Sequence, residues 1–167
     1  MGNRATLLFV LLSLIFSVLL FESACAQNKI RNYLKAHNAV RKAVGVPMPN
    51  MVWNTTVASY ARNYAKLRAE DCKLLHSNGP YGENLAYGYS RRFSGRYAVG
   101  LWAAEKKYYS YRSNSCIGQQ ECLHYTQIVW SDSIRLGCAR VKCSNGYDWF
   151  VVCNYDPPGN WVGELPY

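Results

Sequence analysis

The cysteines constrain this chain more than any other feature. Seven occur in 167 residues, an odd number that suits neither a fully bridged domain nor a reduced one. The parity resolves at the N-terminus. Arg4 gives a positive start, Leu7 to Phe21 is uncharged and almost wholly apolar, and Ala24-Cys25-Ala26 has the small-x-small form of a cleavage site. Residues 1–26 therefore read as a secretory signal peptide. Its apolar core is too short for a membrane span, which needs about 20 residues. Removing Cys25 with it leaves Cys72, Cys116, Cys122, Cys138, Cys143 and Cys153. In an exported domain these imply three disulfides.

One pair follows from local geometry. Asn145-Gly146 is a strong two-residue hairpin turn between β-rich runs. With it at the tip, Cys138 and Cys153 stand opposite each other, and cross-strand Cα atoms lie about 4.5–5.5 Å apart, within disulfide range. Cys116 and Cys122 can close only a small local ring. Cys72 is then left with Cys143, which ties the end of a helix to the sheet. The alternative, metal ligation by cysteine, lacks any paired C-x-x-C spacing.

The remainder, 27–167, fits one domain, and half of all residues are apolar, enough for a core. Arg4 and Glu22 leave with the leader and cancel, so the net charge stays +9. That favours anionic surfaces such as membranes or acidic polysaccharide. The basic residues are scattered without a tight run, which argues against a nucleic-acid partner. Ile30, Tyr33, Leu34, His37, Val40 and Val44 share one face of a first helix, expected to end at Gly45 before Pro47. Val57, Tyr60, Ala61, Tyr64, Ala65 and Arg68 mark a second, capped by Asn54 or Thr55. A third runs from Tyr97 through Trp102 and Glu105 to Tyr109. Ser77 to Ser94 reads as a long Gly/Ser/Tyr-rich loop. Residues 124–130, 136–143 and 148–155 read as strands. Helices followed by antiparallel strands predict an α+β domain. Asn54-Thr55-Thr56 is the one glycosylation acceptor, though capping alone accounts for it.

Three histidines occur. His37 lies on the apolar stripe of the first helix and reads as a core histidine hydrogen-bonded to a neighbouring loop. Glu105 falls on the buried face of its helix, where an isolated charge would be very costly. Glu83 follows shortly after His76. Two imidazoles (His76, His124) and two carboxylates (Glu83, Glu105) have the chemistry for a divalent metal such as zinc. They would equally suit a general acid–base pair. Ser77 beside His76 is the one nucleophile candidate, but adjacent residues rarely face each other, and no G-x-S-x-G or H-E-x-x-H stands in the chain.

His124-Tyr125-Thr126-Gln127-Ile128-Val129-Trp130 combines with Ala36-His37-Asn38, Arg41, Trp53-Asn54, His76-Ser77, Gly79 to Ala86 and Cys153-Asn154-Tyr155-Asp156-Pro157 in a fixed order. This series resembles the CAP superfamily of cysteine-rich secretory, antigen and pathogenesis-related proteins, and within it the plant class-one pathogenesis-related proteins. Leu123 departs from the pattern, standing where the family usually has glycine before the histidine. The resemblance implies an α-β-α sandwich with a central antiparallel sheet over 27–167, the same three disulfides, and a central cleft lined by His76, Glu83, Glu105 and His124. It implies no required cofactor, with zinc the metal that cleft would take. It associates the loop of Tyr108, Tyr109 and Tyr111 with sterol binding. The implied function is a monomeric, secreted, antimicrobial defence protein of the apoplast that takes sterols from pathogen membranes. The competing reading is a weak metal-dependent or acid–base hydrolase. Finally, within the C-terminal tail 156–167, Pro157 to Tyr167 matches a segment implicated as an immune peptide, released between Asp156 and Pro157 to act on a plant receptor. Its prolines and glycines predict an extended tail held on the domain by Trp161.

Overall fold

Side chains along two neighbouring strands alternate between two apolar layers, and the architecture follows from that. β5 (Arg135–Lys142) and β6 (Asp148–Asp156) form an antiparallel hairpin. Leu136, Cys138, Val151, Cys153 and Tyr155 join one core, whereas Ala139, Phe150 and Val152 join another. Strands buried on both faces need a layer of helix on each side. The computed structural model describes residues 29–167, so the expected signal peptide, 1–26, lies outside the described residues.

The short β1 (Val52–Trp53) lies parallel to β5, and β2 (Gly82–Tyr89) lies antiparallel to β6, giving the order β1-β5-β6-β2. The expected antiparallel sheet is thus mixed at one edge. Helix α2 (Thr55–Arg68) covers one face through Ala61 and Ala65. On the other face, α1 (Ile30–Lys42) contributes Tyr33, α3 (Gly95–Ala104) contributes Ala98, Val99 and Trp102, and α4 (Leu123–Ile128) contributes Tyr125 and Ile128. The expected α-β-α sandwich is therefore present. Among the described residues no helix is long and apolar enough to cross a membrane.

Local sequence explains how the layers meet. Asn54 caps α2, its side-chain oxygen accepting from the backbone N–H groups of Thr56 and Val57. A Cβ at Gly137 would strike the backbone of Val57 and Ala58, so only glycine lets α2 sit this close to β5. Helix α1 ends just before Gly45, whose φ of +89° is the left-handed conformation glycine permits. Arg41 is buried on α1, and its guanidinium donates to the carbonyls of Pro49, Ile128, Trp130 and Ser131. Those bonds pin α1 to the corner that follows α4.

Three expectations about elements fail, each for a physical reason. Residues 124–130 form helix α4 and the turn after it, not a strand. The Glu105 carboxylate accepts from the backbone N–H groups of His124 and Tyr125 in the first turn of α4, 3.1 and 3.3 Å away. The aromatic and β-branched content there reflects burial of Tyr125, Thr126, Gln127 and Ile128, a demand that overrides strand propensity. The 77–94 segment is not all loop, because β2 occupies its centre and sends Leu85 and Ala86 into opposite cores. The third helix stops at Ala104. Residues Glu105–Tyr108 make a 3₁₀ turn, and Tyr109 enters a small ribbon of β3 (Tyr109–Ser110) and β4 (Ser115–Cys116).

All three expected disulfides are present, Cys72–Cys143, Cys116–Cys122 and Cys138–Cys153, with Cα separations of 5.9, 5.5 and 4.1 Å. Cys138 and Cys153 are direct partners in the β5–β6 register. The hairpin tip lies at Asn145-Gly146, but the last ladder bond joins Cys143 N–H to the Asp148 carbonyl, so the loop is longer than two residues. At the end of α2, Ser144 donates through both its N–H and its hydroxyl to the Ala69 carbonyl, beside the Cys72–Cys143 bridge. This bridge closes 71 residues of sequence. Its removal in Cys72→Ser/Cys143→Ser should lower stability by roughly 4 kcal/mol on the chain-entropy account. Urea unfolding measures the loss, and an unchanged midpoint would show that the hairpin and α2 hold without it.

Candidate functional site

Strand β2 carries Glu83 against His76 in the segment before it, and helix α4 carries His124 against Glu105 on the 3₁₀ turn. His76 Nδ1 lies 2.9 Å from Glu83 Oε1. The same carboxylate accepts from the Ser77 N–H at 2.8 Å, the Ser77 hydroxyl at 2.6 Å and the Asn154 amide at 3.1 Å. His124 Nδ1 lies 2.8 Å from Glu105 Oε1, and Trp102 stacks on its ring at 6.2 Å. The four expected cleft residues therefore resolve into two histidine–glutamate pairs. Each carboxylate is more deeply buried than its imidazole. Burial acts to raise the Glu83 pKa, but hydrogen bonds from His76, Ser77 and Asn154 outweigh it and hold the carboxyl below its usual range. The hydrogen bond to Glu83 raises the His76 imidazole, assisted by the charges of Glu83 and Glu121.

Behind the pairs lies a buried polar relay. His37 Nδ1 faces the Tyr33 carbonyl at 2.8 Å, and a carbonyl only accepts, so the proton sits on Nδ1. Nε2 must then accept from the Tyr155 hydroxyl at 3.0 Å. That hydroxyl accepts from the Asn84 amide, which also donates to the His124 carbonyl at 2.9 Å. Complete burial brings the His37 pKa down to about 4, so the ring stays neutral. His37 is a core histidine as expected, although its partners lie on its own helix and on β6, not on a loop.

The donor chemistry suits a divalent metal in part. In each pair the carboxylate occupies Nδ1 and leaves Nε2, the arrangement that orients metal-bound histidines. Among the described residues, however, no three of His, Cys, Asp and Glu gather into a group that could hold an ion. If a metal bound, the imidazoles of His76 and His124 are the residues that would hold it, and it would supply Lewis acidity there. Ser77 donates its hydroxyl to Glu83, so it is not aimed at an imidazole. Leu123 opens α4 and is 53% exposed.

The aromatic loop forms a second, separate feature. Tyr109 packs against Tyr125 and donates to Asn114 Oδ1 at 2.8 Å, within the ribbon stapled by Cys116–Cys122. The Lys107 ammonium lies over the Tyr108 ring, 4.7 Å from its centroid. Tyr111, the residue expected to face a ligand, already has a partner. Its ring stacks on Tyr167 at 4.9 Å, and its hydroxyl donates to the Tyr167 backbone oxygen. The tail is anchored along its length. Pro157, Gly159, Asn160, Glu164 and Pro166 bond respectively to Ser133, Gln127, Leu123, Asn114 and Ser131. Trp161 is 56% exposed and is not the anchor that was expected. Asp156 receives the Arg135 guanidinium at 2.6 Å.

Asn84, Gln127, Asn154 and Tyr155 lie in the motif series that carries the family resemblance but were given no role of their own there, yet they organise the site. The available signal was an amide set inside an apolar strand, as in Asn84-Leu85-Ala86 and Cys153-Asn154-Tyr155.

The model of the cysteine-rich secretory protein (CAP) family matches residues 34–155. Pathogenesis-related leaf protein 6 of Solanum lycopersicum is 49% identical over 158 residues, covering 95% of this chain and 96% of that protein. Among solved structures, Schistosoma mansoni venom allergen-like protein 4 is 28% identical with a TM-score of 0.64, over 82% of this chain and 92% of that one. The crystal structure of NaASP2 with Zn2+ is 25% identical with a TM-score of 0.62, over 82% of this chain and 83% of that one.

The His76–Glu83 pair should be fully charged only between the lowered pKa of Glu83, below 4.5, and the raised pKa of His76, above 6.5. Its contribution fades above that window as His76 loses its proton and below it as Glu83 gains one. Zinc requires neutral imidazole, so affinity should fall as pH drops, starting above pH 6.5, and should vanish in His76→Ala/His124→Ala. Calorimetry with zinc tests this, and unchanged affinity in the double variant would exclude the two rings.

Proposed function

Because this chain belongs to the cysteine-rich secretory (CAP) family and groups there with plant pathogenesis-related proteins of the first class, we propose that it is a secreted defence protein acting by non-covalent binding of sterols. Family membership implies the defence role. The observation that carries the mode of action is an apolar surface on a covalently stapled loop. Ile117, Leu123 and Tyr111 are 53, 53 and 45% exposed around the Cys116–Cys122 bridge. Apolar groups grouped in this way on a rigid ribbon suit a flat apolar ligand. Binding there would withdraw sterol from a pathogen membrane in the extracellular space, with no cofactor and no chemical step.

The tail belongs to this reading. Release of 157–167 by cleavage after Asp156 would yield a peptide for a receptor and would uncover the Tyr111 ring that Tyr167 now covers. Because Asp156 ends β6 and pairs with Arg135, cleavage would need a protease able to open that corner. Mass spectrometry of extracellular fluid from challenged tissue should find the fragment. An intact C-terminus throughout would leave the tail a structural strap.

The alternative is a weak hydrolase using His76, His124, Glu83 and Glu105. It is less well supported, because the Ser77 hydroxyl is held by Glu83 and the six cysteines among the described residues are all bridged. A glycan on Asn54 is compatible with its capping role, which uses only the side-chain oxygen.

Tyr111→Ala should weaken sterol binding about tenfold, the scale of one lost aromatic contact. Its thermal midpoint should fall only slightly, because the residue is 45% exposed and what it loses is the stack and hydrogen bond to Tyr167 at the end of the tail. Tyr109→Ala should lower both, because Tyr109 also packs on Tyr125. Equilibrium binding of a labelled sterol by the oxidised protein decides it. Equal affinity of the wild type and Tyr111→Ala would remove this loop from the site.

A further inference from the structure

A basic, aromatic groove lies away from both features, where β2 runs into α3. Two adjoining depressions of about 470 and 620 Å³ share Arg92, Tyr97 and Leu101 in their walls. Tyr89 and Tyr97 are 73 and 56% exposed there, and Leu101 44%. Between Asn84 and Ala104 the chain carries Arg91, Arg92 and Arg96 and no acidic residue. All three arginines are exposed, and none has a carboxylate partner among the described residues.

The backbone carrying these arginines is fixed from below. Arg140 on β5 donates from Nε to the Phe93 carbonyl at 2.6 Å and from Nη2 to the Arg91 carbonyl at 3.2 Å. Its own guanidinium lies over the Trp149 ring, 3.3 Å from the centroid. Phe93 anchors the bend in the core and meets Tyr97 edge-on at 5.6 Å. The side chains of Arg91 and Arg92 are thus presented on a held bend. Arg96 stands in the first turn of α3, where no acid offsets it and where a cation is unfavourable to the helix dipole. A bound anion would remove that conflict.

We propose that this groove binds an anionic oligosaccharide, a chain of carboxylated sugars. Pyranose rings present apolar faces that tyrosine rings can cover, and guanidinium forks match carboxylates in planar, two-bond geometry. A groove admits such a chain along its length. A bilayer would instead take an amphipathic helix whose whole apolar face lies in the interface plane. The site depends on neither the histidine cleft nor the stapled loop.

Titration calorimetry at low salt with a hexamer of 1,4-linked galacturonic acid tests the assignment. The wild type should bind the hexamer and not its fully methyl-esterified form. Arg92→Gln/Arg96→Gln should weaken binding about tenfold or more, the scale of lost charge-assisted hydrogen bonds. Lys35→Gln/Lys42→Gln removes the same charge from exposed positions on α1 and should cost less than about twofold, because screening confines such effects to short range. Tyr97→Ser should weaken binding several-fold with an unchanged melting temperature. Equal losses in the two double variants would reduce the effect to net charge and overturn the proposal. So would absence of hexamer binding, or Arg92- and Arg96-dependent binding only to vesicles of phosphatidylcholine and phosphatidylserine, which would make the groove a membrane surface.

Discussion

The hydroxyl of Tyr155 lies fully buried where α1, β2 and β6 meet. It donates to His37, accepts from Asn84, and through Asn84 reaches the carbonyl of His124. A hydroxyl in so apolar a place is tolerable only because its donor and one acceptor position are both used, since an unmade bond there costs about 1–3 kcal/mol. The bond to His37 fixes a neutral tautomer, and the bond from Asn84 fixes the backbone that carries His124. Arg41 performs a similar task one turn along α1. Burial pulls its pKa down only to about 10, so it remains a cation at neutral pH and is solvated by backbone carbonyls, four of which it reaches. Together these two groups fix the helical layer that bears the cleft against the sheet.

Much of this was legible in the chain and some was not, for identifiable reasons. The disulfides could be read because covalent geometry and an Asn-Gly turn admit few solutions. Strands β5 and β6 could be read from their β-rich runs, whereas the helical layer on each face of the sheet came from the family resemblance. Helix α4 was misread as a strand because its sequence is that of a segment buried on all sides, and its helical start depends on Glu105, nineteen positions earlier. Strand β2 was hidden by its glycines and tyrosines. Gly82 and Gly88 leave room for Gln127 and Phe93, contacts that no local pattern reveals. The cleft residues came from the family resemblance, yet their division into two pairs is a property of the fold. Tyr111 falls off the helical stripe, which marks it as a surface residue but does not say what it meets there. Its stacking on Tyr167, 56 positions away, is a tertiary contact that periodicity does not encode.

The molecule separates rigidity from exposure. The histidine pairs are tied into the core by hydrogen bonds to backbone and to buried amides, which hold them without any moving part. The exposed apolar groups sit instead on the ribbon that the Cys116–Cys122 bridge closes, and the tail crosses beside them through Asn114 and Tyr111. Loop and tail therefore form one mechanical unit, and a change in either is felt by the other.

On the function proposed above, ligand engages the stapled loop and not the histidine pairs. An amide and imidazole NMR titration of the oxidised protein with a water-soluble sterol sulfate addresses it directly. Shift changes should be confined to the loop around Tyr111, Ile117 and Leu123 and to the tail near Tyr167, with the His76 and His124 imidazole signals unmoved. Changes concentrated at His76, Glu83, Glu105 and His124, with the loop silent, would contradict it.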